Sequence, residues 1–86
     1  MVIQKIKINK DIWLEWSKDK EKVLGWTNRE PVNSNRCLRA GTVLQFFYIS
    51  NKGGLNYRIV GNLGIPEFIE SEIIRFIKNK IFEEIK

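Results

Sequence analysis

The sequence predicts an α+β fold, an antiparallel sheet in strand–helix–strand–strand–helix order packed against a long C-terminal helix. Three observations predict it. Val2, Gln4, Ile6 and Ile8 alternate with Ile3, Lys5, Lys7 and Asn9; two alternating stretches flank Asn51-Lys52-Gly53-Gly54; and isoleucines recur at helical spacing from Ile69 to Ile85.

The first stretch reads as a strand with one apolar face and one lysine-bearing face, which suits an edge position. Asn9 or Asp11 then caps a helix whose first turn is Ile12-Trp13-Leu14. Ile12, Trp16 and Val23 share one side of that helix, Lys18, Asp19, Lys20, Glu21 and Lys22 face water, and Gly25 stops it. Thr27 to Cys37 is a polar loop with room for one short edge strand.

Thr42 to Ser50 and Leu55 to Leu63 form a hairpin that pairs Ser50 with Leu55. In that register Leu44, Phe46, Tyr48, Leu55, Tyr57 and Ile59 make the core face. The opposite face holds Val43, Gln45, Phe47 and Ile49 beside Asn56, Arg58, Val60 and Asn62. It is half apolar, so either another element covers it or it binds something. Pro66 then suits the first turn of a helix running from Glu67 to Lys86. The apolar residues of that helix span an arc of roughly 180°, wider than the ordinary stripe of about 100°. Such a surface calls for the sheet on one side and a second helix or chain on the other.

The chain reads as one domain over residues 1–86, close to the lower limit for unaided folding. The single cysteine, Cys37, allows no internal disulfide and no sulfur-based metal cage. Histidine is absent, which removes the usual general base near neutral pH and the commonest zinc ligand. The expectation is therefore a protein with no metal, no cofactor and no catalytic machinery; Glu67, Glu70 and Glu72, like Glu83 and Glu84, lack a partner at a spacing that would shift a proton. A net charge of +5 favours nucleic acid, an anionic surface or an acidic partner. No apolar run spans a bilayer and the start lacks a secretory signal's apolar core, so a cytoplasmic location is expected.

The segment Asn9-Lys10-Asp11-Ile12-Trp13-Leu14-Glu15-Trp16-Ser17, with Glu21-Lys22 and Trp26 after it, resembles the opening of START-like (SRPBCC) domains. The nearest branch is that of homologues of the heat-shock chaperone ATPase activator. Leu38-Arg39-Ala40-Gly41-Thr42 stands where that family has L-R-P-G-G, and Phe46, Asn51 to Gly53, Tyr57 and Gly61 follow its hairpin. Asp19 stands where the family has proline, and family members carry further strands before their last helix. The resemblance implies a curved sheet around a long helix with an apolar cavity between them, reduced here to a groove or a shared dimer pocket. Trp13, Trp16, Phe46, Tyr48, Tyr57, Ile73 and Ile77 would line it and hold a hydrophobic small molecule.

Two other function classes fit the residues. A nucleic-acid binder would use Phe47 with Arg58 and Lys52 on the sheet face, extended by Arg36 and Arg39. A protein-interaction module or homodimer would use the terminal helix, with Ile74, Phe82 and Ile85 as its seam.

Overall fold

The computed structural model describes residues 2–19, 21–32, 34 and 36–86. It is mostly sheet, with one short helix. The strands are β1 (Lys5–Ile8), β2 (Ile12–Trp16), β3 (Val23–Thr27), β4 (Cys37–Leu38), β5 (Val43–Ile49), β6 (Leu55–Ile59), β7 (Glu67–Phe68) and β8 (Phe82–Glu84), and the helix is α1 (Glu70–Lys78). Five strands form an antiparallel sheet in the order β7-β6-β5-β1-β8, and three form a second in the order β3-β2-β4.

This corrects the predicted fold class in two places. Ile12 to Gly25 is no helix but the hairpin β2–β3, with Trp13 opposite Thr27 and Leu14 opposite Trp26. Ile12 and Leu14 are buried while Trp13 and Glu15 are only half-buried, a period of two that local spacing alone does not separate from a helical face. Lys18, Asp19, Glu21 and Lys22, expected on the water-facing side of a helix, lie between the two strands of the hairpin. The Ser17 backbone N–H donates to the Lys22 carbonyl at 2.8 Å, and Asp19 accepts from the Ser17 hydroxyl and the Glu21 N–H. Lys20, from the same run, lies outside the described residues.

The second correction is the C-terminal helix, which has nine residues rather than the stretch from Glu67 to Lys86. Before it, Glu67–Phe68 pairs with β6; after it the chain returns as β8 on β1. The stop is local: Lys80 sits in the left-handed region at φ 62°, its N–H donates to the Ile77 carbonyl at 3.1 Å, and the Ile81 N–H reaches back to the Phe76 carbonyl at 2.8 Å. These are the two bonds of a Schellman ending. The wide apolar arc therefore resolves into α1, which buries Ile73 and Phe76, and a return that buries Ile81 and Phe82. The expected dimer seam is dispersed with it: Phe82 is a core residue of β8, and Ile74 is on the exposed side of α1. β1 is likewise not an edge strand, since it lies between β5 and β8.

The β5–β6 hairpin forms where expected, in a different register. Ile49 rather than Ser50 faces Leu55, and Gly53 takes φ 85° in the turn. A bulge then leaves Phe47 as the extra residue between the pairs Phe46–Tyr57 and Tyr48–Asn56. Leu44 and Tyr57 stay in the core, but Tyr48 is turned out of it.

The two sheets and the helix share one core, in which Ile12, Leu14, Trp26 and Leu38 join Ile6, Ile8, Leu44, Tyr57, Phe68 and Phe82. Phe68 is its aromatic centre, with ring centroids 5.3 Å from Trp26, 6.0 Å from Tyr57 and 5.5 Å from Phe82. The second sheet is bound to the helix by Glu72, a buried carboxylate. One oxygen accepts the Trp26 backbone N–H at 2.6 Å and the other the Ile69 N–H at 2.9 Å. Arg75 donates to the Trp26 carbonyl at 3.0 Å. Gly25 permits this approach, because it adopts φ 125° and a Cβ there would meet Glu72 Oε2 at 2.6 Å.

Replacing Glu72 with Gln is expected to lower unfolding stability by about 2 kcal/mol, because the amide nitrogen cannot accept the N–H that its oxygen predecessor held. Glu70→Gln, on the exposed side of the same turn, should change it by less than about 0.5 kcal/mol. Lys80→Gly should add about 1 kcal/mol by relieving the left-handed lysine. Urea denaturation midpoints of the three variants check all of this.

Candidate apolar groove

Where α1 leaves the inner face of β6, a groove of about 330 Å³ opens between them. Its walls are Val2 and Ile3 before β1, Leu55 and Tyr57 of β6, and Ile73, Ile74 and Ile77 of α1. Ile73, Ile74 and Ile77 are spaced to meet on one side of a helix, and Leu55 and Tyr57 are spaced to share one face of a strand. Glu70, in the first turn of α1, is the one charged residue in the lining.

The wall formed by Val2 and Ile3 is tied to β6 by a side-chain bond. Tyr57, whose ring is fully buried, donates its hydroxyl to the Ile3 carbonyl at 2.7 Å. Burial pushes the Tyr57 phenol up to about 12, because the ionised form would lose its hydration. The phenol is thus a structural donor at any ordinary pH.

Of the seven residues expected to line a pocket, the structure brings together three: Tyr57, Ile73 and Ile77. Phe46 is behind them, half-buried, with its ring edge-on to Tyr57 at 5.7 Å. Trp16 is packed against the core from the end of β2. Trp13 faces a separate depression beside Pro31, Arg36 and Cys37. Tyr48 is on the outer face of the large sheet, edge-on to Phe47 at 5.2 Å. Sequence reasoning missed Val2, Ile3, Leu55, Glu70 and Ile74 as lining residues. Leu55 was legible as the inward partner of Tyr57; Val2 and Ile3 were not, since contacts with distant residues, the bond to Tyr57 among them, place them.

The five residues of the nucleic-acid alternative do not converge. Phe47 and Arg58 do meet, with the guanidinium carbon 5.5 Å from the ring centroid. Arg36 lies 6.0 Å from the Trp26 ring, and Arg39 is paired with Asp11 at 3.1 Å. The Asp11 carboxyl is held below its usual value, first by the Ala40 backbone N–H at 2.7 Å and then by Arg39. Lys52, in the β5–β6 turn, lines a wider cleft of about 670 Å³ between that turn and β3. That cleft has Val23, Leu24, Trp26 and Ile69 on one side, but Ser50, Asn51, Lys52 and Glu67 break up its apolar surface. The groove is the more uniformly apolar of the two.

Burial raises the Cys37 thiol, which disfavours the reactive thiolate. Among the described residues no three Cys, Asp or Glu side chains are grouped as a metal site requires. No helix among them is long and apolar enough to cross a membrane. Comparison with family models, with curated proteins and with solved structures finds no match to this chain.

The Tyr57 environment has a direct test. In a Tyr48→Phe chain Tyr57 is the remaining tyrosine. Its phenolate absorbance should emerge only near pH 12, or earlier together with unfolding. The folded-state value lies above the ordinary 10, so this group's contribution to stability is complete below pH 10 and is lost as pH rises toward 12. Tyr57→Phe, lacking the bond to Ile3, should lose about 1 kcal/mol of stability in urea.

Proposed function

We propose that the chain is a small non-enzymatic binding protein that takes an apolar small molecule into the groove between α1 and β6. The observation that carries this reading is the composition of the walls: seven apolar or aromatic residues around about 330 Å³, with one carboxylate at Glu70. That volume is at the small end of ligand pockets, which are mostly apolar with a few orienting polar groups. The resemblance to START-like domains supports the ligand class, since those domains hold hydrophobic molecules between sheet and helix. The hairpin at Ile12–Thr27 and the nine-residue helix differ from that family's layout, so the reading stands on the groove.

Glu70 sets a preference within the class. A carboxylate beside an apolar slot attracts a cationic or neutral polar end and repels an anionic one. An elongated amine or alcohol therefore suits the groove better than a fatty acid of the same length.

A neutral solvatochromic dye displaced by dodecylamine, dodecanol or dodecanoate tests both parts. Ile74 is 59% exposed, so Ile74→Arg should leave the fold intact while placing a guanidinium in the slot. Displacement by the amine and the alcohol is expected, weakened at least about tenfold in the variant, equivalent to about 1.4 kcal/mol. Displacement unchanged by Ile74→Arg would move the ligand out of the groove and defeat the reading.

A further inference from the structure

The outer face of the five-stranded sheet has its own chemistry, independent of the groove. Its three inner strands, β1, β5 and β6, contain no Asp or Glu. Lys5 of β1, Gln45 of β5 and Arg58 of β6 stand opposite one another across the ladder and so share that face. Lys7 follows two residues along β1 and points the same way. The sheet's acidic residues are on its edge strands: Glu67 stands opposite Asn56 and accepts from it, and Glu83 stands opposite Lys7 and accepts from Asn9, which leaves the row of Lys5 and Arg58 as the basic part of the face.

Two aromatic rings stand at one end of this strip, next along β5 from the Lys5–Gln45–Arg58 row. The bulge in β5 presents both Phe47 and Tyr48 to solvent, 49% and 48% exposed, in edge-to-face contact at 5.2 Å. The Arg58 guanidinium sits over the Phe47 ring. Beyond Arg58 the face continues into a shallow depression of about 520 Å³ that ends at Val60 and Leu63. A merely solvated face has no need of two large rings, and large exposed aromatics among cations are what unstacked bases and phosphates bind.

We propose that this face binds a single-stranded polynucleotide. Bases stack on Phe47 and Tyr48, while the backbone phosphates track Arg58 and Lys5. The charge complementarity is with a polyanion, and the rings select a strand whose bases are free to leave the stack. A duplex offers the cations its phosphates but denies the rings their partners.

The test is fluorescence polarisation with labelled oligothymidylate and oligouridylate of about ten nucleotides, within the length that sheet-face binders occupy. A duplex of the same length and vesicles with anionic phospholipid serve as competitors. At least one single strand should bind, with affinity falling on a logarithmic salt plot at a slope of about −1.4, from two cations at about 0.7 each. Phe47→Ala with Tyr48→Ala should weaken binding at least about fivefold and keep the slope. Arg58→Ser should reduce the slope by about 0.7, and it keeps the question open to measurement should the double variant unfold. The proposal is overturned if neither single strand binds, if duplex or vesicles compete as well as the free strand, or if binding survives the aromatic substitutions unchanged.

Discussion

The arrangement of the whole molecule depends on one buried carboxylate. An ionised group out of water costs several kcal/mol unless its oxygens are satisfied. Glu72 is satisfied by two backbone N–H groups from different elements, Trp26 on the edge of β3 and Ile69 at the entrance of α1. Arg75, one turn further along, takes the Trp26 carbonyl. Both backbone groups that Trp26 presents at the open edge of the small sheet are therefore completed by the helix. A small sheet, a large sheet and a helix become one body through this contact. Trp26 adds its own bond, from the indole nitrogen to the Glu67 carbonyl at 2.9 Å, and so ties β3 to β7 as well. Since α1 forms one wall of the groove, the carboxylate that fixes the helix also fixes the groove's width.

The large sheet makes opposite use of its two faces, and β6 shows how. Leu55, Tyr57 and Ile59 point to the core and the groove, and Arg58 between them points to the basic strip. On β5 the same alternation would have sent Tyr48 inward with Phe46. The bulge inserts one residue, and Tyr48 joins Phe47 outside. A single extra residue in one strand thus removes an aromatic from the expected pocket and creates an exposed aromatic pair.

What was legible in the sequence were the elements whose partners lie nearby. The β5–β6 hairpin and β1 came from alternation and turn residues, while Cys37–Leu38, at the end of a stretch read as a polar loop, was not placed. The elements misread are those decided by distant partners. Ile12, Trp16 and Val23 fit a helical face as well as two strands, and what makes Ile12–Trp16 a strand is pairing on both sides, with β3 and with Cys37–Leu38. In the terminal segment the signal was present but pointed elsewhere: an apolar arc too wide for one helix belonged to a short helix and a returning strand. Tyr57, Ile73 and Ile77 were found because each lies in an element, or a part of one, that was read with the right period. The tryptophans were misplaced together with the helix that was to carry them.

Both candidate sites lie on the large sheet, and a five-stranded sheet has two faces to protect. Here the inner face is given a helix of nine residues, and the small sheet completes the core. The helix is too short to reach over all of β6, and the strip it leaves uncovered beside Tyr57 and Leu55 is the groove. Among the described residues the outer face keeps solvent contact through Lys5, Lys7 and the two rings of Phe47 and Tyr48. The sheet thus carries an apolar slot on one side and a basic, aromatic strip on the other. Their chemistries are far enough apart that one is read with salt-insensitive apolar ligands and the other with salt-sensitive polyanions.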